Sequence, residues 1–265
     1  MKKVLILLFL FGYFSTNAQK ADSIDIKITI LYKPNKLNLT KSFIKINETN
    51  RRIKSLILPT GFIAYGFISL ENYALKKLDK STNVEIEEHH PQPVTKIDNY
   101  LQYSPALAVY GLNALGIKSK NNFRDRTIIY ALSTAISAAI VLPLKRITRI
   151  QRPDGSGLSS FPSGHTTTAF AAAEFIRQEY KDVSIWYAIA GYGAATATGI
   201  LRLYNNKHWL SDVVAGAGFG ILSTKLSYWF YPVIKRKVFK NKSKSTMVIP
   251  FIQNNGGGLS MVYHF

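Results

Sequence analysis

Residues 185–201 of the chain read IWYAIAGYGAATATGIL and contain no charged side chain. An uncharged run of about five helical turns is typical of a helix that is buried on most of its sides. Ala and Gly recur throughout the run, and such small residues let neighbouring helices approach closely. We therefore expect this segment to form one helix of a tightly packed bundle.

Further stretches have the same length and the same low charge. They lie at about 55–70, 101–117, 127–144, 164–177 and 210–231. We therefore predict an all-α fold, a helical bundle of about six helices. The mean hydropathy of +0.02 is compatible with a soluble bundle as well as with a membrane-embedded one. We favour the membrane-embedded bundle because several of the runs hold no charge, although Glu174 and Arg177 make the 164–177 helix a marginal span.

The composition excludes several classes of site. The 265 residues include no Cys, which excludes disulfides, Cys-based zinc sites and a Cys nucleophile. Lys and Arg number 34 against 15 Asp and Glu, so the formal net charge is +19. Such a basic chain is suited to nucleic acid, to an anionic membrane surface or to an anionic substrate.

The first 18 residues have the pattern of a secretory signal peptide. Lys2 and Lys3 precede an apolar run from Val4 to Phe14, and Ala18 is a suitable cleavage position. The apolar run is shorter than the roughly 20 residues that a spanning helix needs. An uncleaved N-terminal anchor is the alternative reading. Because export removes the mature chain from DNA, we expect no nucleic-acid partner and place the protein in the cell envelope.

The rest of the chain divides into three parts by pattern. Residues 19–52 form an N-terminal extension with weak alternation, and residues 53–235 form the helical domain. Residues 236–265 form a basic tail and a predicted β-hairpin, because two short apolar runs flank an Asn/Gly turn. Within the helical domain, the polar and Pro-containing stretch 79–96 is predicted to be an exposed loop. Its His89-His90 pair is interpreted as solvated surface rather than as a metal site.

The first cluster of chemistry-bearing residues follows an apolar helix and reads KRITRIQRP from Lys145 to Pro153. Lys145 and Arg152 are seven residues apart, which is two helical turns, so they point in a similar direction if the helix continues. A Lys and an Arg together suit a phosphate group, the first as a point charge and the second as a planar fork of donors. A basic flank on a membrane helix would have the same composition.

The second cluster is SFPSGH, Ser160 to His165, directly before the apolar run that begins at Thr166. Ser163 is a suitable N-cap, so we expect a helix to begin here. The free N–H groups of a helix start attract anions, and Gly164 allows the backbone to approach one closely. His165 lies in the first turn, where it can give a proton to a leaving group.

The third cluster is RLYNNKHWLSD, Arg202 to Asp212. His208 and Asp212 are four residues apart and share one face if the stretch is helical. A carboxylate on one ring nitrogen fixes the tautomer of an imidazole and leaves the other nitrogen free as a nucleophile. Arg202 adds a third cation that is suited to phosphate. A surface His/Asp pair is the alternative reading of this cluster on its own.

The three clusters in this order resemble the motifs of the type 2 phosphatidic acid phosphatase superfamily. The patterns are K-x6-R-P, P-S-G-H and R-x5-H-x3-D, and they span residues 145–212 within a resemblance that covers about 53–232. The superfamily also contains vanadium-dependent haloperoxidases and bacterial acid phosphatases. One departure is visible, because Leu201 stands where the third motif usually has Ser. The charged and nucleophilic positions are unaffected by it.

The resemblance implies a role for each motif residue. Lys145, Arg152 and Arg202 would neutralise the phosphoryl oxygens, while the Ser163 hydroxyl and the backbone around Gly164 would complete the cradle. Fixed cations of this kind supply the charge that a phosphoryl transition state requires, so no metal or other cofactor is expected.

The resemblance also implies the chemical steps. His208 would attack phosphorus and form a phosphohistidine, with Asp212 holding its imidazole. His165 would protonate the leaving oxygen and then help to activate water. We therefore predict a phosphatase that acts on phosphate monoesters or pyrophosphate esters, with a phosphorylated lipid as substrate and a membrane as its setting. Its active site would face the periplasm or the exterior.

Three alternatives stay open at this point. A secreted acid phosphatase for soluble esters would share the motifs, and so would a vanadium haloperoxidase, because vanadate resembles the phosphoryl transition state. The non-enzymatic alternative is a helical protein that binds anionic lipid through its basic face. The preferred lipid, the number of true spans and the oligomeric state are left open by the sequence.

Overall fold

The computed structural model describes residues 53–89, 95–238, 246–253 and 256–263. In this part of the chain the fold is helical apart from two C-terminal strands. The helices are α1 (Ile57–Ser69), α2 (Tyr73–His89), α3 (Ile97–Leu101), α4 (Ser104–Ala114), α5 (Phe123–Thr148), α6 (Gly164–Tyr180), α7 (Ile185–Tyr204) and α8 (Leu210–Val238). Each of the six predicted runs contains a helix. The described residues nevertheless form eight helices rather than about six, because α2 and α3 were not predicted.

The predicted loop at 79–96 is largely wrong, because α2 continues as far as His89. The segment 73–89 is rich in Lys, Leu and Glu, which favour helix, and its first proline is Pro91, after the helix has ended. The polar composition indicated exposure correctly for most of this helix, but it did not exclude helical structure. His89 is exposed and its ring Nδ1 lies 3.0 Å from the carbonyl oxygen of Glu85.

Helix α6 forms the centre of the bundle and packs against α4, α5, α7 and α8. Its Ala169, Ala171, Ala172 and Ala173 are fully or almost fully buried. A Cβ atom on Gly220 of α8 would lie 2.3 Å from the carbonyl oxygen of Thr167, so only a glycine allows this approach. The small residues noted in the sequence therefore bring the backbones of α6 and α8 into contact.

Charged side chains are also buried at the other end of α6, and they are paired there. Glu174 is fully buried and accepts hydrogen bonds from Arg177, Gln178 and Tyr192. The Lys225 ammonium on α8 lies 3.0 Å from the same carboxylate. A buried charge that is paired and hydrogen-bonded costs much less than an isolated one, so these residues are compatible with the interior of the bundle.

Within the described residues, only α5 is both long and apolar enough to cross a membrane. Its length of 26 residues corresponds to about 39 Å of helix.

The two C-terminal strands are β1 (Thr246–Gln253) and β2 (Gly256–Tyr263). They pair antiparallel, with Thr246 opposite Tyr263 and Gln253 opposite Gly256. The turn between them lies outside the described residues, so the hairpin stays a prediction. The signal peptide 1–18 and the extension 19–52 also lie outside the described residues, and the predicted domain boundaries stay predictions.

Candidate active site

The three sequence motifs meet at one end of the bundle, where α5 and α7 end and where α6 and α8 begin. Two backbone hydrogen bonds connect the motifs. The Ser163 N–H donates to the Asp212 carbonyl oxygen at 3.0 Å, and the Asp154 N–H donates to the Asn206 carbonyl oxygen at 3.1 Å. The loop after α5 and the loop after α7 are thereby held together, although about 50 residues separate them in sequence.

The second motif begins α6 as the sequence indicated. Ser163 is the N-cap, in extended conformation, and its Oγ accepts a hydrogen bond from the Thr166 N–H. The same Oγ also accepts from the Thr166 hydroxyl at 2.9 Å. Ser163 is fully buried, so its visible role is to cap the helix. The contribution of its hydroxyl to a phosphate cradle stays a prediction.

Lys145 reaches the start of α6 from the last turn of α5. Its Nζ donates to the carbonyl oxygens of Ser159 at 2.6 Å and Ser160 at 3.2 Å. A Cβ atom on Gly164 would lie 3.9 Å from the Lys145 Cε, so the lysine side chain passes beside the first residue of α6. The ammonium group is therefore fixed next to the free N–H groups of the helix start.

Arg152 reaches the same place through a loop and not through a continued helix. Helix α5 ends at Thr148, and Arg149 follows in the left-handed conformation with φ of 49°. The Arg152 N–H then bonds the Gly157 carbonyl oxygen at 2.9 Å, and its Nη2 lies 3.4 Å from the Ser159 hydroxyl. The two-turn spacing was thus the wrong reason for the convergence of Lys145 and Arg152.

His208 lies just before α8 and is buried, with 3% of its surface exposed. Its Nδ1 faces the Asp212 Oδ2 at 3.5 Å, which leaves Nε2 on the opposite side of the ring. The same carboxylate oxygen accepts hydrogen bonds from the Trp209 N–H at 2.9 Å and from the Ser160 hydroxyl at 2.5 Å. Asp212 is therefore held rigidly, and Ser160 is a part of the site to which the sequence reading gave no role.

Burial lowers the pKa of His208 to about 4, although the nearby Asp212 carboxylate acts in the opposite direction. The ring is therefore neutral at physiological pH, which is the form with a nitrogen lone pair. Nearby Lys145 and Arg202 also disfavour the protonated ring.

The short helix α3 contributes two contacts that the sequence reading missed. The Asp98 carboxylate accepts a hydrogen bond from the Arg202 Nη1 at 2.5 Å, and both side chains are at least nine-tenths buried. The neighbouring Asn99 Oδ1 lies 2.8 Å from the Nε2 of His165. Five residues are too few to show a helical period, so no sequence signal connected α3 with the motifs.

His165 is half-buried in the first turn of α6, close to the same cations as His208. Burial lowers its pKa, and Arg202, Arg152 and Lys145 lower it further, while Asp98 raises it. Lys145 and Arg202 therefore influence both imidazoles, so the two rings belong to one electrostatic site.

Two donors in this site have no partner. The Nε–H groups of Arg152 and Arg202 are buried, and no acceptor in the described part of the chain hydrogen-bonds to them. A buried donor without an acceptor costs about 1–3 kcal/mol. An oxyanion bound between the two guanidinium groups would satisfy them. We name the group formed by Lys145, Arg152, Arg202, His165 and His208 the phosphate cup.

Helix α2 supports the cup from outside. Asp79 accepts hydrogen bonds from the backbone N–H and the hydroxyl of Ser211, in the first turn of α8, at 2.9 and 2.7 Å. Asn83 donates to the Asn206 side chain at 2.7 Å. These contacts connect α2 to the loop that carries His208. Among the described residues, no group of three or more His, Asp or Glu side chains could hold a metal ion.

Comparison with known proteins agrees with the motifs. The model of the PAP2 superfamily matches residues 126–236. The lipid A 1-phosphatase of Porphyromonas gingivalis is 42% identical over 143 residues, which are 54% of this chain and 32% of that protein. The bacitracin transport permease protein BcrC of Bacillus licheniformis is 29% identical over 101 residues, 33% of this chain and 47% of that protein. The chain thus spans about a third to a half of the length of these curated relatives.

A solved structure has a similar fold. The transmembrane PAP2-type phosphatidylglycerolphosphate phosphatase of Bacillus subtilis superimposes with a TM-score of 0.50 at 22% identity, over 68% of this chain and 98% of that one. At this identity the likeness concerns the fold alone. The three motifs that converge in the cup all lie within residues 126–236, the part of the chain that matches the model of the PAP2 superfamily.

Proposed function

We propose that the protein is a phosphatase that removes a phosphoryl group from a phosphorylated lipid through a phosphohistidine intermediate. The observation that carries the proposal is the pair of buried, unpartnered Nε–H donors on Arg152 and Arg202 beside a neutral His208. Phosphoryl transfer spreads negative charge over three oxygens, and it is accelerated mainly by positioning and by fixed positive charge. Lys145 and the two arginines provide that charge.

The first half-reaction uses both imidazoles. The Nε2 lone pair of His208 attacks phosphorus, and the bond from phosphorus to the ester oxygen breaks. His165, whose protonated form is favoured by the negative charge of the bound phosphoryl group, gives its proton to the leaving oxygen. The positive charge that develops on the His208 ring is stabilised by Asp212 on the Nδ1 side. The resting Nδ1 to Oδ2 distance of 3.5 Å would shorten as the ring becomes charged.

The second half-reaction restores the enzyme. His165, now neutral, takes a proton from water as the water oxygen attacks phosphorus. The bond from phosphorus to His208 Nε2 breaks, inorganic phosphate leaves, and both rings return to their starting protonation states. In the resting structure the Nε2 of His165 lies against Asn99. We expect this contact to hold the ring at the edge of the cup.

A lipid substrate is supported by the outer surface of the bundle. Large apolar side chains are exposed on seven of the eight described helices, including Leu107 at 67%, Leu142 at 55%, Ile189 at 51% and Phe230 at 51%. Exposed apolar surface of this extent is typical of a protein covered by membrane or by a partner. With α5 as a candidate span, it favours a membrane-embedded enzyme whose cup opens near the head groups. Phosphatidic acid, an isoprenoid pyrophosphate and a lipid A phosphate are the candidate substrates.

A phosphate-release panel tests the proposed function. The purified protein is assayed in detergent with the three candidate lipids and with a water-soluble phosphate ester, next to the His208→Ala variant. We expect release from at least one lipid at a rate well above that from the soluble ester, and its loss in the variant. Equal rates on the soluble ester would support the acid phosphatase, and peroxide-dependent bromination only with vanadate would support the haloperoxidase. Either result would contradict the proposal.

The side of the membrane that the cup faces can be tested because the natural chain lacks Cys. We propose that residues 1–18 direct export and that the cup faces the periplasm or exterior. Ser156 is exposed in the loop beside the cup, and Lys118 is exposed near the opposite end of α6. In intact cells a membrane-impermeant maleimide should label Ser156→Cys and not Lys118→Cys. The reverse pattern would place the cup in the cytoplasm.

A further inference from the structure

The Asp212 carboxylate is held through only one of its two oxygens. The Ser160 hydroxyl donates to Oδ2 at 2.5 Å, and the Trp209 N–H donates to the same oxygen at 2.9 Å. The Nδ1 of His208 faces this oxygen at 3.5 Å. The other oxygen, Oδ1, is buried and has no hydrogen-bond partner in the described part of the chain. The carboxylate is therefore oriented through the oxygen that faces the imidazole.

The Ser160 hydroxyl also faces the imidazole directly. Its Oγ lies 3.4 Å from the His208 Nδ1, about as close as the Asp212 Oδ2. A hydroxyl has one proton and two lone pairs, and the proton of Ser160 is directed to Asp212. The Ser160 Oγ can therefore only accept a hydrogen bond from the ring. Because both groups that face Nδ1 are acceptors, Nδ1 carries the ring proton and Nε2 carries the lone pair.

Burial prevents water from replacing the hydroxyl. Ser160 is fully buried, and Asp212 and His208 have 1% and 3% of their surface exposed. A buried polar group that loses its partner has no solvent molecule to replace it. Without the hydroxyl, the Trp209 N–H would be the one fixed donor to the carboxylate among the described residues. The carboxylate would then be free to turn the unpartnered Oδ1 toward the ring.

The backbone of Ser160 fixes the hydroxyl relative to the cations of the cup. Its N–H donates to the Ile150 carbonyl oxygen at 2.9 Å, in the loop that also carries Arg152. Its carbonyl oxygen accepts a hydrogen bond from the Lys145 Nζ at 3.2 Å. Ser160 thus lies between a cation of the first motif and the carboxylate of the third. This placement holds the nucleophile and the phosphate-binding groups in one geometry, which is what phosphoryl transfer requires.

We propose that Ser160 is a positioning residue, whose hydroxyl orients the Asp212 carboxylate and keeps the His208 ring in the tautomer with a lone pair on Nε2. The proposal rests on the proposed function, because it concerns the nucleophile of the same cup. As the His208 ring gains positive charge during attack, the Ser160 Oγ presents its lone pairs to the Nδ1 proton. The hydroxyl dipole is already oriented in the resting site, so it needs no reorganisation during the reaction.

The kinetic test uses Ser160→Ala and the lipid that is hydrolysed fastest in the phosphate-release panel. We expect kcat/KM to fall about tenfold or more. The inhibition constant of inorganic phosphate should change less than twofold, because the variant keeps the cations and the backbone carbonyl that holds Lys145. A fall in kcat/KM at constant phosphate affinity indicates a displaced nucleophile rather than a damaged cup.

Ser133→Ala is the matched control. It removes another fully buried serine hydroxyl, which lies 2.6 Å from the Thr224 hydroxyl between α5 and α8. Ser133 precedes Lys145 by about 18 Å along α5, so it is remote from the cup. Both variants lose one buried hydrogen bond, but kcat/KM of Ser133→Ala should stay within about twofold of the parent.

The tautomer of His208 is a readout that a loss of stability alone does not change. The protein is labelled with 15N-histidine and studied by solid-state NMR in phosphatidylcholine vesicles at about pH 8, where the ring is neutral. The chain contains five His, and the His208 signals are those missing from His208→Ala. We expect the Nδ1–H tautomer alone in the parent and in Ser133→Ala. In Ser160→Ala a second population should carry the proton on Nε2.

An unchanged tautomer in Ser160→Ala would overturn the proposal, and so would a fall in kcat/KM no greater than that of Ser133→Ala. If Ser160→Ala does not fold, Ser160→Cys is measured in its place with the same expectations, because a thiol is a weak donor. If the parent releases phosphate from none of the panel substrates, the proposed function fails. The second tautomer in Ser160→Ala would then still support the role of Ser160, and its absence would refute it.

Discussion

The buried pair of Asp98 and Arg202 allows a sharp test of how the cup is organised. We predict that Asp98→Asn lowers phosphatase activity, although Asp98 does not contact the phosphate. The substitution keeps the size of the side chain and its ability to accept a hydrogen bond, but it removes the charge that holds the Arg202 guanidinium. Arg202 has only 9% of its side chain exposed, so water cannot replace the lost partner well.

The expected magnitude follows from the burial of the pair. A hydrogen bond to a charged group contributes about 1.5–3 kcal/mol, and every 1.36 kcal/mol in a barrier is a factor of ten in rate. If most of this interaction serves to orient Arg202, kcat/KM should fall about 10- to 150-fold. The inhibition constant of orthovanadate, which resembles the phosphoryl transition state, should rise by a similar factor. A merely structural role of Asp98 would not produce this parallel change.

Asp154→Asn is the matched control. Asp154 pairs with Lys207 in the loops beside the cup, and the two side chains are 19% and 34% exposed. Exposed pairs contribute about 0–1 kcal/mol, so this variant should keep kcat/KM within about fivefold of the parent. Both variants remove one negative charge near the cup, and the comparison therefore isolates the orientation of Arg202. Parent-like kinetics in Asp98→Asn, with a folded protein by thermal unfolding, would refute the reasoning.

Three further predictions concern protonation and packing. Asn99→Asp should raise the pKa of His165 through its new negative charge, so the pH–rate profile should extend to higher pH. An unchanged alkaline limb of that profile would contradict the contact between residue 99 and His165. The pKa of His208 is about 4 in the folded protein and near 6.5 in the unfolded chain, so the unfolded chain binds the proton first as the pH falls. The contribution of neutral His208 to the free energy of unfolding is therefore fully present above about pH 6.5 and is lost as the pH falls toward 4. Chemical denaturation across this pH range should show that the free energy of unfolding falls by about 3 kcal/mol in the parent and not in His208→Ala. Parallel pH dependences of the two proteins would contradict this prediction. Gly216→Ala should destabilise the protein by about 1–3 kcal/mol in thermal unfolding, because the new Cβ would lie 2.7 Å from the Ser163 carbonyl oxygen of the second motif. In the control Gly193→Ala the new Cβ would have no atom within 4 Å, so this variant should be as stable as the parent or more stable.

The parts of the site that could be predicted from the sequence are those where a helix end and a reactive side chain coincide. Ser163 was recognisable as a cap because it precedes an apolar run, and the cations were recognisable because they interrupt apolar runs. The spacing argument failed for Arg152, since a left-handed residue ends α5 before the second turn and a loop returns the guanidinium to the cup. The residue types of the three motifs indicated the chemistry, but the spacing of Lys145 and Arg152 did not indicate the path of the chain between them.

The contacts that sequence reading could not supply join residues far apart in the chain. Asp98 meets Arg202 across 104 positions, and Asp79 meets Ser211 across 132. Neither carboxylate lies on a periodic apolar face, and a short or polar helix gives no signal of what it packs against. The predicted loop at 79–96 was wrong for the same reason. Composition indicated the exposure of α2, but not the tertiary contacts that connect it to the loop of His208.

The central claim is that His208 attacks phosphorus while the cations of the other two motifs hold the phosphoryl oxygens. Its most direct test is to mix the protein with a radiolabelled lipid phosphate, quench within milliseconds in alkali, where phosphohistidine survives, and map the label by peptide mass spectrometry. The account predicts an acid-labile label on His208 that is absent in His208→Ala. Rapid release of phosphate with no label on His208, or a label on another side chain, would contradict it.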